Sequence, residues 1–103
     1  MPILARTMRQ SGTLISSKDS HQLVSGCVTL APGAEVGEHR TGSGEELIVL
    51  LNGTVEVSVG EHARTVRSPG VILVPAHAPH NVNSGGSDPA RYVYVYVTAL
   101  NRS

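Results

Sequence analysis

The sequence predicts an all-β antiparallel fold, a sandwich or a barrel, on three observations. Short runs of β-branched and apolar residues alternate with polar ones at a period of two. Gly, Pro and Asn turn signals separate these runs at short intervals. No segment longer than a few residues spaces its apolar residues as a helix does. About nine short strands fit between the turns, as in sandwiches and small barrels.

The chain of 103 residues is long enough for one domain with a modest core and too short for two. A formal net charge of zero gives no reason to expect nucleic acid or a membrane surface as a partner. No apolar run approaches the roughly 18 residues of a membrane-spanning helix, and the start, MPILARTMRQ, lacks the apolar stretch of a signal peptide. Cys27 is the one cysteine, so no internal disulfide can form and a cytoplasmic location is expected. Phe and Trp are absent and there are three Tyr, so Val, Leu, Ile and Ala must fill the core.

Taken in order, residues 1–12 are polar and mixed and form an N-terminal arm ahead of the core, which is expected to span about 23–99. Thr13 to Ser16 is a short β-like run that needs a partner strand from this chain or a second copy. Leu23 to Ala31 is rich in β-branched residues and stops at the turn signal Pro32-Gly33. Its face of Val24, Gly26, Val28 and Leu30 is expected to be the more buried, and Cys27 on the other face reads as a small structural residue. Glu35 to Arg40 and Glu46 to Leu51 are the next two strands. The second is apolar on both faces beyond its glutamate, so both must be covered. A barrel interior covers one; a second subunit covers Leu47, Val49 and Leu51, and a homodimer is expected. Asn52-Gly53 is the strongest two-residue hairpin signal in the chain and leads into Thr54 to Val59. Gly60-Glu61 turns into the polar run His62 to Arg67. Val71 to Val74 ends at Pro75, and Arg91 to Thr98 alternates most regularly of all. Its two faces carry Tyr92, Tyr94 and Tyr96 or Val93, Val95 and Val97. Valines suit a small interior better; a tyrosine facing inward becomes a hydrogen-bond donor to a substrate.

The chemistry gathers between Gly33 and Gly53. His39 and Thr41 lie two residues apart and share a strand face. Gly42-Ser43-Gly44 turns the chain, so that Glu46, on the following strand, returns beside His39. A histidine and a carboxylate from neighbouring strands are two-thirds of a metal site.

Two stretches of the sequence resemble the cupin family. The first cupin motif, G-x5-H-x-H-x3-4-E-x6-G, is followed by Gly33, His39, Thr41, Glu46 and Gly53, with threonine in place of the second histidine. The second, G-x5-P-x-G-x2-H-x3-N, is matched by Gly70, Pro75, His80 and Asn83, with its two longer gaps each one residue shorter and His77 in place of glycine. The resemblance spans roughly residues 23–99. It implies a jelly-roll barrel with a pocket at one mouth, and a divalent transition metal (Fe, Mn, Ni, Cu or Zn) held by His39, Glu46 and His80. Thr41 then stands at the vacant position of the family's fourth ligand, where a water is expected. Two histidines and one carboxylate with open positions are the set used by non-haem iron oxygenases. The function so implied is an enzyme acting on a small carbonyl or carboxylate compound by oxygenation, isomerisation, decarboxylation or lyase chemistry. The alternative is a non-catalytic cupin that binds a metal or small ligand for sensing or storage. His77 and His62 read as surface residues, and Arg40, next to His39, is expected on the opposite face.

Overall fold

The structure, a computed structural model, describes residues 3–98. The end of the expected core at residue 99 and the first two residues of the arm lie outside it. Nine strands run through the described residues: β1 (Gly12–Ile15), β2 (Leu23–Leu30), β3 (His39–Arg40), β4 (Glu46–Asn52), β5 (Thr54–Val59), β6 (His62–Arg67), β7 (Gly70–Val74), β8 (Pro79–Ser84) and β9 (Ala90–Val97). They form two antiparallel sheets, one of five strands in the order β1-β2-β9-β4-β7 and one of four in the order β3-β8-β5-β6.

Register fixes what each face carries, because directly paired residues point to the same side. In the five-stranded sheet Ile48 pairs with Tyr94 and Ile72, and Leu50 with Tyr92 and Gly70. Val28 pairs with Tyr92 and Gly26 with Tyr94. In the four-stranded sheet Val57 pairs with Val82 and Arg64, and Val55 with Ser84 and Val66. The inner faces meet in a core of Leu30, Ile48, Leu50, Val55, Val57, Val74, Val82, Ala90 and Tyr92. The face of β2 expected to be more buried does turn inward, with Leu30 in the core and Val28 packed against it.

Three sequence expectations change. Tyr92, Tyr94 and Tyr96, rather than the valines between them, share the inner face of β9 with Glu46, Ile48 and Leu50. Asn52-Gly53 joins strands of different sheets and is a corner, not a hairpin. Gly53 has φ 89° and lies so close to Ala90 that a side chain would strike the backbone there, so the residue is fixed by the corner. The strand expected over 35–40 shrinks to His39–Arg40 plus an isolated bridge from Glu35 to Asn83, because Gly37 between them has φ 103°. Of the two partners open to β1, the structure shows the one within the chain, on β2. The arm before it is clipped to the outer face. Cys27 Sγ donates to Arg9 O (3.1 Å), Thr29 Oγ1 to Gln10 O (2.6 Å), and Arg91 Nη2 to Arg9 O (2.7 Å). Cys27 is buried under this arm, the setting of a structural residue.

Candidate metal centre

His39, Glu46 and His80 converge at one end of the sandwich. Each offers a ligand atom within 4.8 Å of the others. They do not come together as neighbouring strands of one sheet, as the spacing alone suggests for His39 and Glu46. His39 and His80 are the direct pair, facing each other across β3 and β8, with ring centroids 4.0 Å apart. Glu46 comes from β4 in the other sheet, and its Oε1 lies 3.3 Å from His80 Nε2. Glu45, one residue away, is exposed on the other side of the sheet.

Both imidazoles are locked in the same tautomer. His80 Nδ1 lies 3.0 Å from the Ala78 carbonyl and His39 Nδ1 lies 2.9 Å from the Gly37 carbonyl. A carbonyl only accepts, so each Nδ1 carries the proton and each neutral ring keeps its lone pair on Nε2. Carbonyl orientation of the far nitrogen is the arrangement that metal-ligating histidines use. His80 is fully buried, and among the described residues its Nε2 has no hydrogen-bond partner. A neutral ring aims this lone pair at a carboxylate oxygen 3.3 Å away, a contact that is repulsive until a cation, either a metal ion or a proton, sits between them. That span is also what two ligand atoms leave when each binds one ion at about 2.1 Å with an angle near 100° between them. The residues present fit a divalent transition metal.

Around this group the turn from Pro75 to Ala78 is stapled by Thr41. Its hydroxyl donates to Pro75 O (2.6 Å) and accepts from the buried Ala78 N–H (2.9 Å). The residue expected beside a metal-bound water thus spends its hydroxyl on the backbone that carries His80. His77 is exposed, with φ 57°, a left-handed conformation that a glycine adopts without strain. Its N–H donates to Gly42 O (2.9 Å), and its carbonyl accepts from Arg40 Nη1 (2.8 Å). Arg40 was expected to turn away, yet it lines the mouth of the cavity.

The cavity has a volume of about 430 Å³. Ile48, Val82 and Val36 are its aliphatic walls, and Tyr92, Tyr94 and Tyr96 line it as well. Burial, then the carboxylate of Glu46, then Tyr94 push the Tyr92 hydroxyl well above the usual phenol range. Tyr94 is raised too, chiefly by burial and then by Tyr96. Both phenols therefore stay protonated donors at neutral pH. Sequence reasoning preferred the valines; the signal that would have found the tyrosines is that all three of the chain's aromatic residues fall on one alternate face.

The model of the Cupin domain matches residues 26–96. Among solved structures, the cupin domain of Schizosaccharomyces pombe Cnp3 superposes with a TM-score of 0.79 at 21% identity, covering 92% of this chain and 69% of that one. A predicted oxalate decarboxylase from Thermotoga maritima gives 0.78 at 18% identity, covering 84% and 77%. KdgF from Halomonas sp. gives 0.73 at 15% identity, covering 88% and 79%. At these identities the likeness concerns the fold. No curated protein sequence matches the chain. With the family model spanning most of its length and its two sheets closing over the matched histidines and glutamate, this chain belongs to the cupin family.

Proposed function

We propose that this cupin holds a divalent transition metal on His39, Glu46 and His80 and acts as an enzyme on a small carbonyl or carboxylate compound. The observation that carries the reading is the buried, unpartnered Nε2 of His80, facing Glu46. When bound, such a metal polarises a carbonyl or carboxylate oxygen, lowers the pKa of a bound water, or, as iron, supports oxygen chemistry. The protein's own share is to fix both imidazoles by Ala78 O and Gly37 O and to keep water out with Ile48, Val82 and Val36. Tyr92 offers a protonated hydroxyl within the electrostatic reach of the Glu46 carboxylate, while the phenol end of Tyr94 lies over Gly26 on β2.

One observation favours the alternative, a cupin that binds a metal or small ligand without turning it over. Among the described residues, the cavity has no carboxylate or imidazole besides the three ligands, so no ready general base stands next to an open metal position.

The test of the metal is elemental analysis of protein purified without chelator or a nickel column. About one transition metal per chain is expected, falling to background in His80→Ala. Metal content near zero in the wild type, or unchanged in the variant, sinks the assignment. Turnover then separates the two readings: a panel of small 2-oxo acids and carboxylates incubated with iron-, manganese- and zinc-loaded protein is consumed by an enzyme. Stable binding without consumption in every metal form supports the non-catalytic reading.

A further inference from the structure

Aromatic side chains are scarce in this chain, which has three Tyr and neither Phe nor Trp. All three line the one cavity that also contains His39, Glu46 and His80. The core proper is aliphatic apart from the inner end of this row, Tyr92. The aromatic residues are thus concentrated where a ligand would sit.

Their posture is built into the sheet. Tyr94 is the cross-strand partner of Gly26, and a Cβ on Gly26 would collide with the phenol end of Tyr94. The Tyr94 ring therefore reaches across the inner surface of β2, with its phenol end over Gly26. Tyr96 is parallel to it within 13°, with centroids 6.1 Å apart. Both rings stand on the five-stranded sheet, while the two histidines stand on the four-stranded sheet opposite. Charge points to the rest of the ligand. Two neutral imidazoles and one carboxylate leave a divalent metal with net positive charge, and Arg40, the one basic side chain besides the histidines among the lining residues, stands at the mouth.

Resting on the metal reading above, we propose that the cavity selects a small monocarboxylate whose body is a flat, π-bonded ring. Its carboxylate is directed toward the metal group and Arg40, and its ring face lies on Tyr94 and Tyr96. Parallel rings in offset contact gain attraction beyond their buried area, and a puckered ring of the same size cannot lie as flat. The cavity volume of about 430 Å³ falls in the range of small-molecule sites.

Benzoate and cyclohexanecarboxylate test this, since they match in charge and heavy-atom count and differ in flatness and π-character. Both are titrated into zinc-loaded and metal-free protein, followed by proton NMR of the tyrosine ring signals, which report on this cavity alone. Benzoate should bind at least about fivefold tighter, the size of a ring-contact term, with the tyrosine signals shifting. In Tyr96→Leu, a half-exposed position where folding is not at risk, the ratio should fall toward one while zinc affinity holds; Tyr94→Leu should repeat the result. Equal affinities in the wild type, a ratio kept in both variants, or no shift with benzoate in either form overturns the proposal. Zinc content of the same samples separates the two readings: protein that takes up no zinc refutes the metal site, while the benzoate preference is still read on the metal-free form.

Discussion

Thr41 and His77 are the two places where this chain departs from the residue types of the cupin motifs, and the structure gives each a backbone explanation. Thr41 uses its hydroxyl twice, on Pro75 O and Ala78 N. Thr41→Val keeps the shape and removes both bonds, leaving a buried N–H unsatisfied at a cost of about 1–3 kcal/mol. Urea unfolding should show that loss, with metal affinity per folded chain changed less than about threefold; a collapse of affinity at unchanged stability would make Thr41 a ligand. Thr41→His, which completes the four-ligand set in sequence, also removes the staple, and tighter metal binding should come with reduced stability. His77 sits at φ 57° where the motif has glycine. His77→Gly should be neutral or stabilising by up to about 1 kcal/mol, and His77→Val destabilising by about 1–2 kcal/mol, because a β-branched residue is strained there. Equal unfolding midpoints for the two variants would count against a strained position 77.

At the scale of elements, β9 decides the character of the site. Its tyrosines face the cavity, and two of them titrate above the ordinary phenol value of 10.0. The sign follows from proton counting. Above pH 10 the unfolded chain loses phenol protons that the folded chain keeps, so unfolding is favoured as pH rises. Stability should be flat between pH 8 and 9.5 with respect to these groups and then fall, by at most about 1.4 kcal/mol per pH unit for each tyrosine. Urea midpoints from pH 8 to 11.5 check it, and Tyr92→Phe should flatten the fall; an equally steep fall in that variant would assign it elsewhere. The neighbouring strand is tuned to the same purpose. Gly26→Ala puts a methyl where the Tyr94 phenol end and Gly12 O lie. It should cost about 1–3 kcal/mol as overpacking and change the near-ultraviolet circular dichroism of the tyrosines. An unchanged spectrum would mean that Tyr94 does not rest on β2.

For the whole molecule, the outer face of the five-stranded sheet beyond the N-terminal arm is left uncovered by the described residues. Leu47 pairs with Leu73 and Val95, and Val49 with Val71 and Val93, so these six apolar residues form one continuous patch. Val71 is 67% and Leu73 61% exposed, unusual for residues of that type in strands. We propose that a second copy covers this patch. Light scattering at micromolar concentration should return twice 10.8 kDa, and Leu73→Lys should return the monomer mass with the metal stoichiometry intact. A wild-type mass of one chain rejects the dimer. Among the described residues no helix is long and apolar enough to cross a membrane.

The strands and most of their turns were legible in the sequence because they rest on local rules, and the three candidate ligand positions were legible through the likeness to the cupin motifs. A period of two says which side chains share a face, and glycine and proline say where the chain bends. What local rules leave open is which face turns inward and which sheet a strand joins. The tyrosines of β9 face the cavity because Gly26 on another strand leaves room for Tyr94 and because the valines join the apolar outer patch, and neither fact lies near β9 in sequence. Asn52-Gly53 carries a hairpin signal, yet its strands separate into two sheets because β4 is held between β7 and β9 and β5 between β6 and β8. For the same reason His39 and Glu46, seven residues apart, meet across the interior rather than along one sheet. The sequence singled out the three candidate ligands; only the packing of two sheets decided that they line a cavity together with the tyrosines of β9.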